Sequence, residues 1–344
     1  MIKADRILVI KWGALGDLIA GTVALRALRE AYPDARISVL SNPMMGELCP
    51  PGTLIDEVIP YDQGAFSLAD HLRVVRELRR RRFDVALNLR WTSERSAVLA
   101  LLSGAAYRAG SGPKGSRWVY NLKASVEDGR RHEFLRHLDI VAALGVRPGE
   151  PRPFLFVPAG DAAFAESFMA QHGCARSSTL ALHPGASNPS KAWMRERFVE
   201  TSVRFLKRFR GRVLVTWGPG EETLARGVAE GIGAGAVLSA PTTIGKLSAL
   251  IARCGMCLCN YSGVMNVAMA VGTPLLALGC TSPEDWGPYG DLHRTVNSAR
   301  PYDSYTDAER AAAMGEIAAD AVWRVLEGRF VELYPEHQTA GAHA

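Results

Sequence analysis

Four short stretches of the chain bring acids, cations and small residues together at spacings that could do chemistry. The first is Arg6-Ile-Leu-Val-Ile-Lys11-Trp-Gly13-Ala-Leu-Gly16-Asp17. Residues 7–10 form an apolar run that reads as a buried parallel strand, and residues 18–31 read as an amphipathic helix. Asp17 is then expected at a strand-to-helix turn, where open α/β sheets take their ligands. A carboxylate there could accept a proton from a hydroxyl. Equally, it could serve as the helix N-cap, a position Asp favours. Gly13 and Gly16 are expected to let the backbone turn tightly and to leave room for a ligand. A dinucleotide is disfavoured, because the turn lacks Gly-x-Gly-x-x-Gly. The second strand, residues 36–41, also runs into Asn42-Pro43 without an acid to hold a ribose.

The other three stretches lie in the second half. A strand over 179–183 runs into Pro184-Gly185-Ala186-Ser187-Asn188-Pro189-Ser190-Lys191-Ala192-Trp193. Its N–H groups, the Ser187 hydroxyl and the Lys191 charge suit a diphosphate, against the plainer reading of a solvated loop with a stray lysine. Thr216-Trp-Gly218-Pro-Gly220-Glu221-Glu222 places two acids at a helix start, where they complement the dipole or reach a ligand. Tyr261-Ser262-Gly263-Val264-Met265-Asn266 opens a further helix, whose first N–H groups could hold phosphate.

Taken together, these stretches resemble glycosyltransferase family 9, the ADP-heptose:lipopolysaccharide heptosyltransferases. The likeness rests on Lys11, Leu15-Gly16-Asp17, Ala24-Leu25-Arg26-Ala27-Leu28-Arg29 and the His183-Pro-Gly turn with Lys191-Ala-Trp193. It also rests on the Gly218 turn and on Gly272-Thr-Pro274, Gly279-Cys-Thr281-Ser-Pro283 and Trp286-Gly-Pro288-Tyr-Gly290. The resemblance implies an α/β fold of the GT-B type, two Rossmann-like domains facing across a cleft. Residues 1–150 would take the acceptor and 151–330 the nucleotide sugar, with a final helix over 306–327 packing back on the first domain. It implies inverting transfer of a sugar, heptose foremost, from a nucleoside diphosphate carrier, ADP-heptose favoured, to an acceptor hydroxyl in lipopolysaccharide inner-core assembly. Asp17 would be the general base. Lys191, Ser187 and the helix start at Ser262-Gly263 would stabilise the departing diphosphate, and Glu222 foremost, then Glu221, would lie near the ribose. No cofactor and no tightly held metal are implied, the nucleotide sugar being a co-substrate. The family usually shows Asp-(Thr/Ser)-Gly-x-x-His where this chain has Tyr261 and Asn266, which implies a donor that differs or is held differently. The alternatives are a transferase of the same fold using another nucleotide sugar for another glycan or a small-molecule acceptor, a nucleotide-sugar binding protein without turnover, and an epimerase of similar fold.

Length and composition are consistent with this. The 344 residues, 48% of them hydrophobic, suit a globular protein of two domains. No apolar run is long enough to span a bilayer, and Met1-Ile-Lys-Ala-Asp5 leads into the first strand without the look of a signal peptide, so the cytoplasm is expected. Net charge is +5. Arg90, Arg95, Arg108, Lys114, Arg117, Lys123, Arg130 and Arg131 gather against Glu94, Glu127 and Asp128. This is either a solvated face or a surface for an anionic partner, peripheral membrane included. Nucleic acid is disfavoured because no recognition motif accompanies the charge. The run Arg79–Arg82 is read as ending a helix, where cations complement the dipole. Six cysteines include Cys254, Cys257, Cys259 and Cys280, which are read as core residues because a structural zinc site would pair two Cys-x-x-Cys motifs. Cys49 and Cys174 look isolated. Strands and helices alternate throughout, predicting parallel sheets, and the Pro- and Gly-rich stretch 145–153 predicts a linker. The tail after Tyr334 is expected to be mobile.

Overall fold

A computed structural model of the chain describes residues 1–61, 68–111, 114–124, 131–300 and 306–337. Of the residues read above, Glu127, Asp128, Arg130, the Lys114 side chain and the tail beyond His337 lie outside the described residues.

Every ladder among the described strands is parallel, as apolar runs joined by long helical crossovers require. The chain divides into two units, Met1–Phe156 and Val157–Ala344. In the first, β1 (Arg6–Ile10), β2 (Arg36–Ser41), β3 (Glu57–Pro60), β4 (Val85–Asn88), β5 (Tyr107–Gly110) and β6 (Leu122–Lys123) run in the order β3-β2-β1-β4-β5-β6. In the second, β7 (Thr179–His183), β8 (Arg212–Val215), β9 (Ala236–Leu238), β10 (Met256–Asn260), β11 (Leu275–Gly279) and β12 (Arg294–Asn297) run β12-β11-β10-β7-β8-β9. The two orders are the same wiring. Each unit is a doubly wound sheet whose order reverses once, at β1/β4 and at β7/β10. Those reversals are where such sheets open a crevice for ligands.

Burial explains the wiring. Ile7 to Ile10 are wholly inaccessible because helices cover both faces of β1. The helix Leu15–Ala31 packs on Glu133–Ala142. Arg29 ties its end to the sheet by donating to Pro33 O and Ala35 O at 2.9 and 2.8 Å and to Asp56 at 2.6 Å. In the second unit Arg195–Phe209 packs on Ala319–Leu333, with Phe330 meeting Phe205 and Phe209 at centroid distances of 4.9 and 4.6 Å. Each fully buried phenylalanine of that kind stabilises the fold by about 2 kcal/mol.

Several expectations change. The final helix is two helices, Asp307–Glu316 and Ala319–Leu333, because the chain extends at Ile317. There the freed Ile317 carbonyl accepts from the Trp193 indole and from Arg197, and Gly315 O accepts from Arg197. The stretch 145–153 is held to the first unit: Arg152 O accepts from Arg26, Phe154 N–H donates to Thr22, and Phe156 N–H donates to Leu48 O. The division accordingly falls after Phe156. Arg81 pairs with Glu57 and Glu77, and Arg79 donates to Leu102 O, so that run is bound by specific partners as well as by the helix end. Part of the basic stretch is also spent internally. Arg131 grips Asp139 at 2.6 and 2.8 Å, Arg108 donates to Val119 O and Ala105 O, and Arg136 stacks over Trp91. All six cysteines are buried free thiols. No helix among the described residues is long and apolar enough to cross a membrane.

Candidate active site

At the β1/β4 reversal, Asp17 does not cap its helix. The helix begins at Leu15 with Ala14 as N-cap, so Asp17 is the third helical residue, and its carboxylate reaches back to accept from the Ala14 N–H at 3.2 Å. Ala14 has no acceptor to return the bond, leaving only the acidic half of a capping box. Gly16 lies inside this first turn and needs no special conformation. Gly13 does: its φ is +146°, and a Cβ there would fall 2.7 Å from Asp17 Cβ and Oδ2. The space at Gly13 therefore belongs to the acid rather than to a ligand. Asn42 fixes the turn by donating to Gly13 O at 3.1 Å.

Below Asp17 sits a buried ionic cluster. Lys11 is 1% exposed, and its Nζ lies 3.4 Å from Glu133 Oε1, 3.1 Å from His137 Nε2 and 4.0 Å from Asp17 Oδ1. Arg90, just past β4, brings Nη1 to 3.9 Å from the same Asp17 oxygen, and the Trp91 indole donates to Glu133 Oε2 at 3.1 Å. Burial pushes the Lys11 ammonium below its ordinary pKa, although Glu133 and Asp17 oppose the shift. Burial also works against the Glu133 charge. Attraction to and hydrogen bonding with His137, then Lys11 and Trp91, outweigh it and hold that carboxyl well below the usual range. Asp17 is 30% exposed and Glu133 7%, so Asp17 is the acid of this cluster that is open to solvent.

At the β7/β10 reversal, the turn after β7 is clamped from below. Asn260, at the end of β10 and fully buried, accepts from Trp193 N–H at 2.9 Å and donates to Pro184 O and Gly185 O at 2.9 and 3.1 Å. Glu221 lies against the same turn. Its Oε2 is 3.2 Å from His183 Nε2 and accepts from Gly218 N–H at 2.9 Å. The His183 hydrogen bond, against the opposing effect of burial, lowers its pKa. Glu222 instead starts the helix Glu222–Ile232, half-exposed, and pairs with Arg226 at 2.6 Å. Ser187 is exposed on the turn. Lys191 ends a short 3₁₀ turn, Pro189–Lys191, which Asn188 caps. It stands close enough to Cys280, just past β11, for its charge to act on that thiol. Ser262 stands at the N-cap position of the helix Gly263–Ala270 without a side-chain capping bond, and its Oγ is buried with no hydrogen-bond partner among the described residues. The exposed Ser187 hydroxyl and the half-buried Lys191 thus follow the end of β7, and the start of Gly263–Ala270 follows the end of β10, a setting suited to an anion.

A family model described as glycosyltransferase family 9 (heptosyltransferase) matches residues 71–316. The chain belongs to glycosyltransferase family 9. It is 25% identical to lipopolysaccharide heptosyltransferase 2 of Salmonella typhimurium over 339 residues, 94% of this chain and 97% of that protein. The solved structure of a family 9 glycosyl transferase from Veillonella parvula superposes with a TM-score of 0.83 at 23% identity, covering 96% of this chain and 99% of that one. The Escherichia coli ADP-heptose lps heptosyltransferase II superposes at 0.73 and 21%, covering 95% and 99%. The fold is therefore GT-B, and the protein is a glycosyltransferase.

In this transferase the two departures from the family pattern have different surroundings. The Tyr261 hydroxyl is engaged with Thr295 at 2.6 Å and Asn297 at 2.8 Å on β12, and its ring covers Gly279, where a Cβ would meet it at 2.7 Å. Asn266 lies on the first turn of its helix, half-buried, 3.5 Å from Ser262 O. Sequence reasoning gave no role to Glu133, His137 or Asn260, and used His183 only as part of the turn that resembles the family. Glu133 and His137 stand four apart on one helix face, which was a readable signal. Asn260 is an amide ending an apolar strand, which was another. Among the described residues no group of three or more His, Cys, Asp or Glu stands close enough to hold a metal.

Proposed function

We propose that this family 9 transferase moves heptose from ADP-heptose to a hydroxyl of the lipopolysaccharide inner core, inverting the anomeric carbon. The donor and acceptor classes come from the relatives, described as a lipopolysaccharide heptosyltransferase 2 and an ADP-heptose lps heptosyltransferase II. The observation that carries the mechanism is the partly exposed Asp17 carboxylate above the buried Lys11–Glu133–His137 cluster, with Arg90 beside it. Asp17 takes the acceptor O–H proton as that oxygen bonds to the anomeric carbon, and the bond from that carbon to the diphosphate oxygen breaks. Lys191, Ser187 and the N–H groups starting Gly263–Ala270 stabilise the charge that leaves on the diphosphate. The unit Met1–Phe156 would hold the acceptor and the unit that starts at Val157 the donor, with Glu222, the less engaged of the two acids, nearer the ribose. Tyr261, committed to β12, favours a second reading in which another nucleotide sugar is the donor.

The test is a thermal-shift screen of nucleotide sugars, followed by transfer from the best binder to lipopolysaccharide truncated in its inner core, with products read by mass spectrometry. A donor at a hundred times its Kd stabilises the native state by about 2.7 kcal/mol. ADP-heptose should give the largest rise in Tm and a product heavier by one heptose. A larger shift from a different nucleotide sugar, with transfer of that sugar, overturns the heptose assignment.

A further inference from the structure

A buried lysine is an expensive way to fill space, since an aliphatic residue of similar length would pack without losing hydration. Here the surrounding helix is also adapted to it. Gly21 sits in the middle of Leu15–Ala31, where glycine costs roughly 0.5–1 kcal/mol relative to alanine, and a Cβ there would fall 2.9 Å from Lys11 Cγ. The stem of Lys11 occupies that gap and delivers Nζ to a triangle with Glu133 Oε1 and His137 Nε2. The third side of the triangle, His137 Nε2 to Glu133 Oε1, is 3.1 Å. His137 Nδ1 is 3.0 Å from Ala20 O, a carbonyl that can only accept, so Nδ1 carries a proton. Nε2 therefore faces both Lys11 Nζ and Glu133 Oε1, and the three groups close into one buried polar contact in which Lys11 donates to Glu133.

We propose that Glu133 and His137 are positioning residues for the transfer step, holding the Lys11 ammonium where it fixes the Asp17 carboxylate at the end of β1. Neither residue reaches the acceptor. They act through Lys11, and this rests on the reading of Asp17 as the base. The four titratable or charged groups facing Lys11 come from three places: Asp17 from the helix that follows β1, Arg90 from the turn after β4, and Glu133 and His137 from Glu133–Ala142. Removing the Glu133 charge shifts the balance that Asp17 experiences without touching the donor site of the second unit.

The experiment compares Glu133→Gln, Trp91→Phe and Asp17→Asn in the full chain. Transfer from ADP-heptose to core-truncated lipopolysaccharide is followed between about pH 6 and 9, alongside thermal melting. Glu133→Gln should lower kcat about tenfold, leave the KM for the donor within about twofold, and move the limb of the pH–rate profile. Trp91→Phe keeps an aromatic ring under Arg136 but loses the indole N–H to Glu133 together with part of the ring's bulk, so it should move the profile the same way by less. A folded Glu133→Gln protein with the parent's kcat and pH profile overturns the proposal. Should Glu133→Gln fail to fold, an unmoved profile in Trp91→Phe overturns it. If Asp17→Asn retains normal turnover, the base assignment itself has failed. A slow Asp17→Asn beside an unaffected Glu133→Gln rejects only the positioning role.

Discussion

Gly185 leaves the space that the Glu221 carboxylate fills: a Cβ on Gly185 would fall 2.2–2.4 Å from Glu221 Cδ and its two oxygens. The carboxylate cannot swing aside freely, because His183 and the Gly218 N–H hold it. Gly185→Ala should destabilise the protein by about 1–3 kcal/mol, the usual range for overpacking. Denaturant titration measures this. Adding Glu221→Ala should recover part of the loss, a coupling that a double-mutant cycle reads directly.

Asp17→Asn should lower kcat about a hundredfold while leaving ADP affinity unchanged. An amide oxygen can still accept from the Ala14 N–H, so the helix start survives and melting temperature should stay close to the parent's. Steady-state kinetics with calorimetry on ADP checks both halves, and turnover near the parent's removes Asp17 as base.

Lys191→Ala should weaken ADP binding about tenfold and flatten its dependence on salt, since an ion pair to phosphate is screened by added electrolyte. No acid is paired with Lys191 among the described residues, which leaves its charge available to a ligand. Calorimetry at two ionic strengths decides: equal affinities in both proteins would mean that the lysine does not touch the diphosphate.

His293 predicts an acid-side loss of stability. Burial, reinforced by Arg329 and Arg294, pushes its pKa from 6.5 down to about 4. Between those values the unfolded chain binds a proton that the folded one refuses, so stability rises with pH through this window and falls as pH drops from 6.5 to 4. The loss should be at most roughly 3 kcal/mol. His293→Phe should flatten that part of the curve in denaturant titrations run across the window. An unchanged slope would mean that the ring protonates freely in the native state.

Strand-forming runs were plain in the sequence because burial on both faces leaves an uninterrupted apolar signal, as in Thr179–His183 and Met256–Asn260. The short outer strands Leu122–Lys123, Ala236–Leu238 and Arg294–Asn297 carry no such signal and went unread. The break at Ile317 was hidden because its cause is tertiary, two side chains from another helix and its approach taking one carbonyl. In the site, Asp17 was legible from its turn, yet its place as third residue depends on a helix starting at Leu15 rather than 18. The Lys11 cluster joins residues more than a hundred positions apart, so local spacing shows the Glu133–His137 pair but not what it holds.

The shared wiring of the two sheets bears on how the chain reaches its native state. Every ladder among the described strands is parallel, so none of them is a hairpin that can zip locally. Ile7 must find Val85, and Leu180 must find Met256, before either sheet has its middle. Closing such long loops precedes the contacts that reward it, so folding should be slow and the unpaired intermediates prone to associate. The finished sheets are better protected: their outermost strands, β3, β6, β9 and β12, are four, two, three and four residues long and offer little template to a neighbour. Recovery from denaturant is thus limited by the search for the central pair in each half, and aggregation competes during that search rather than after it.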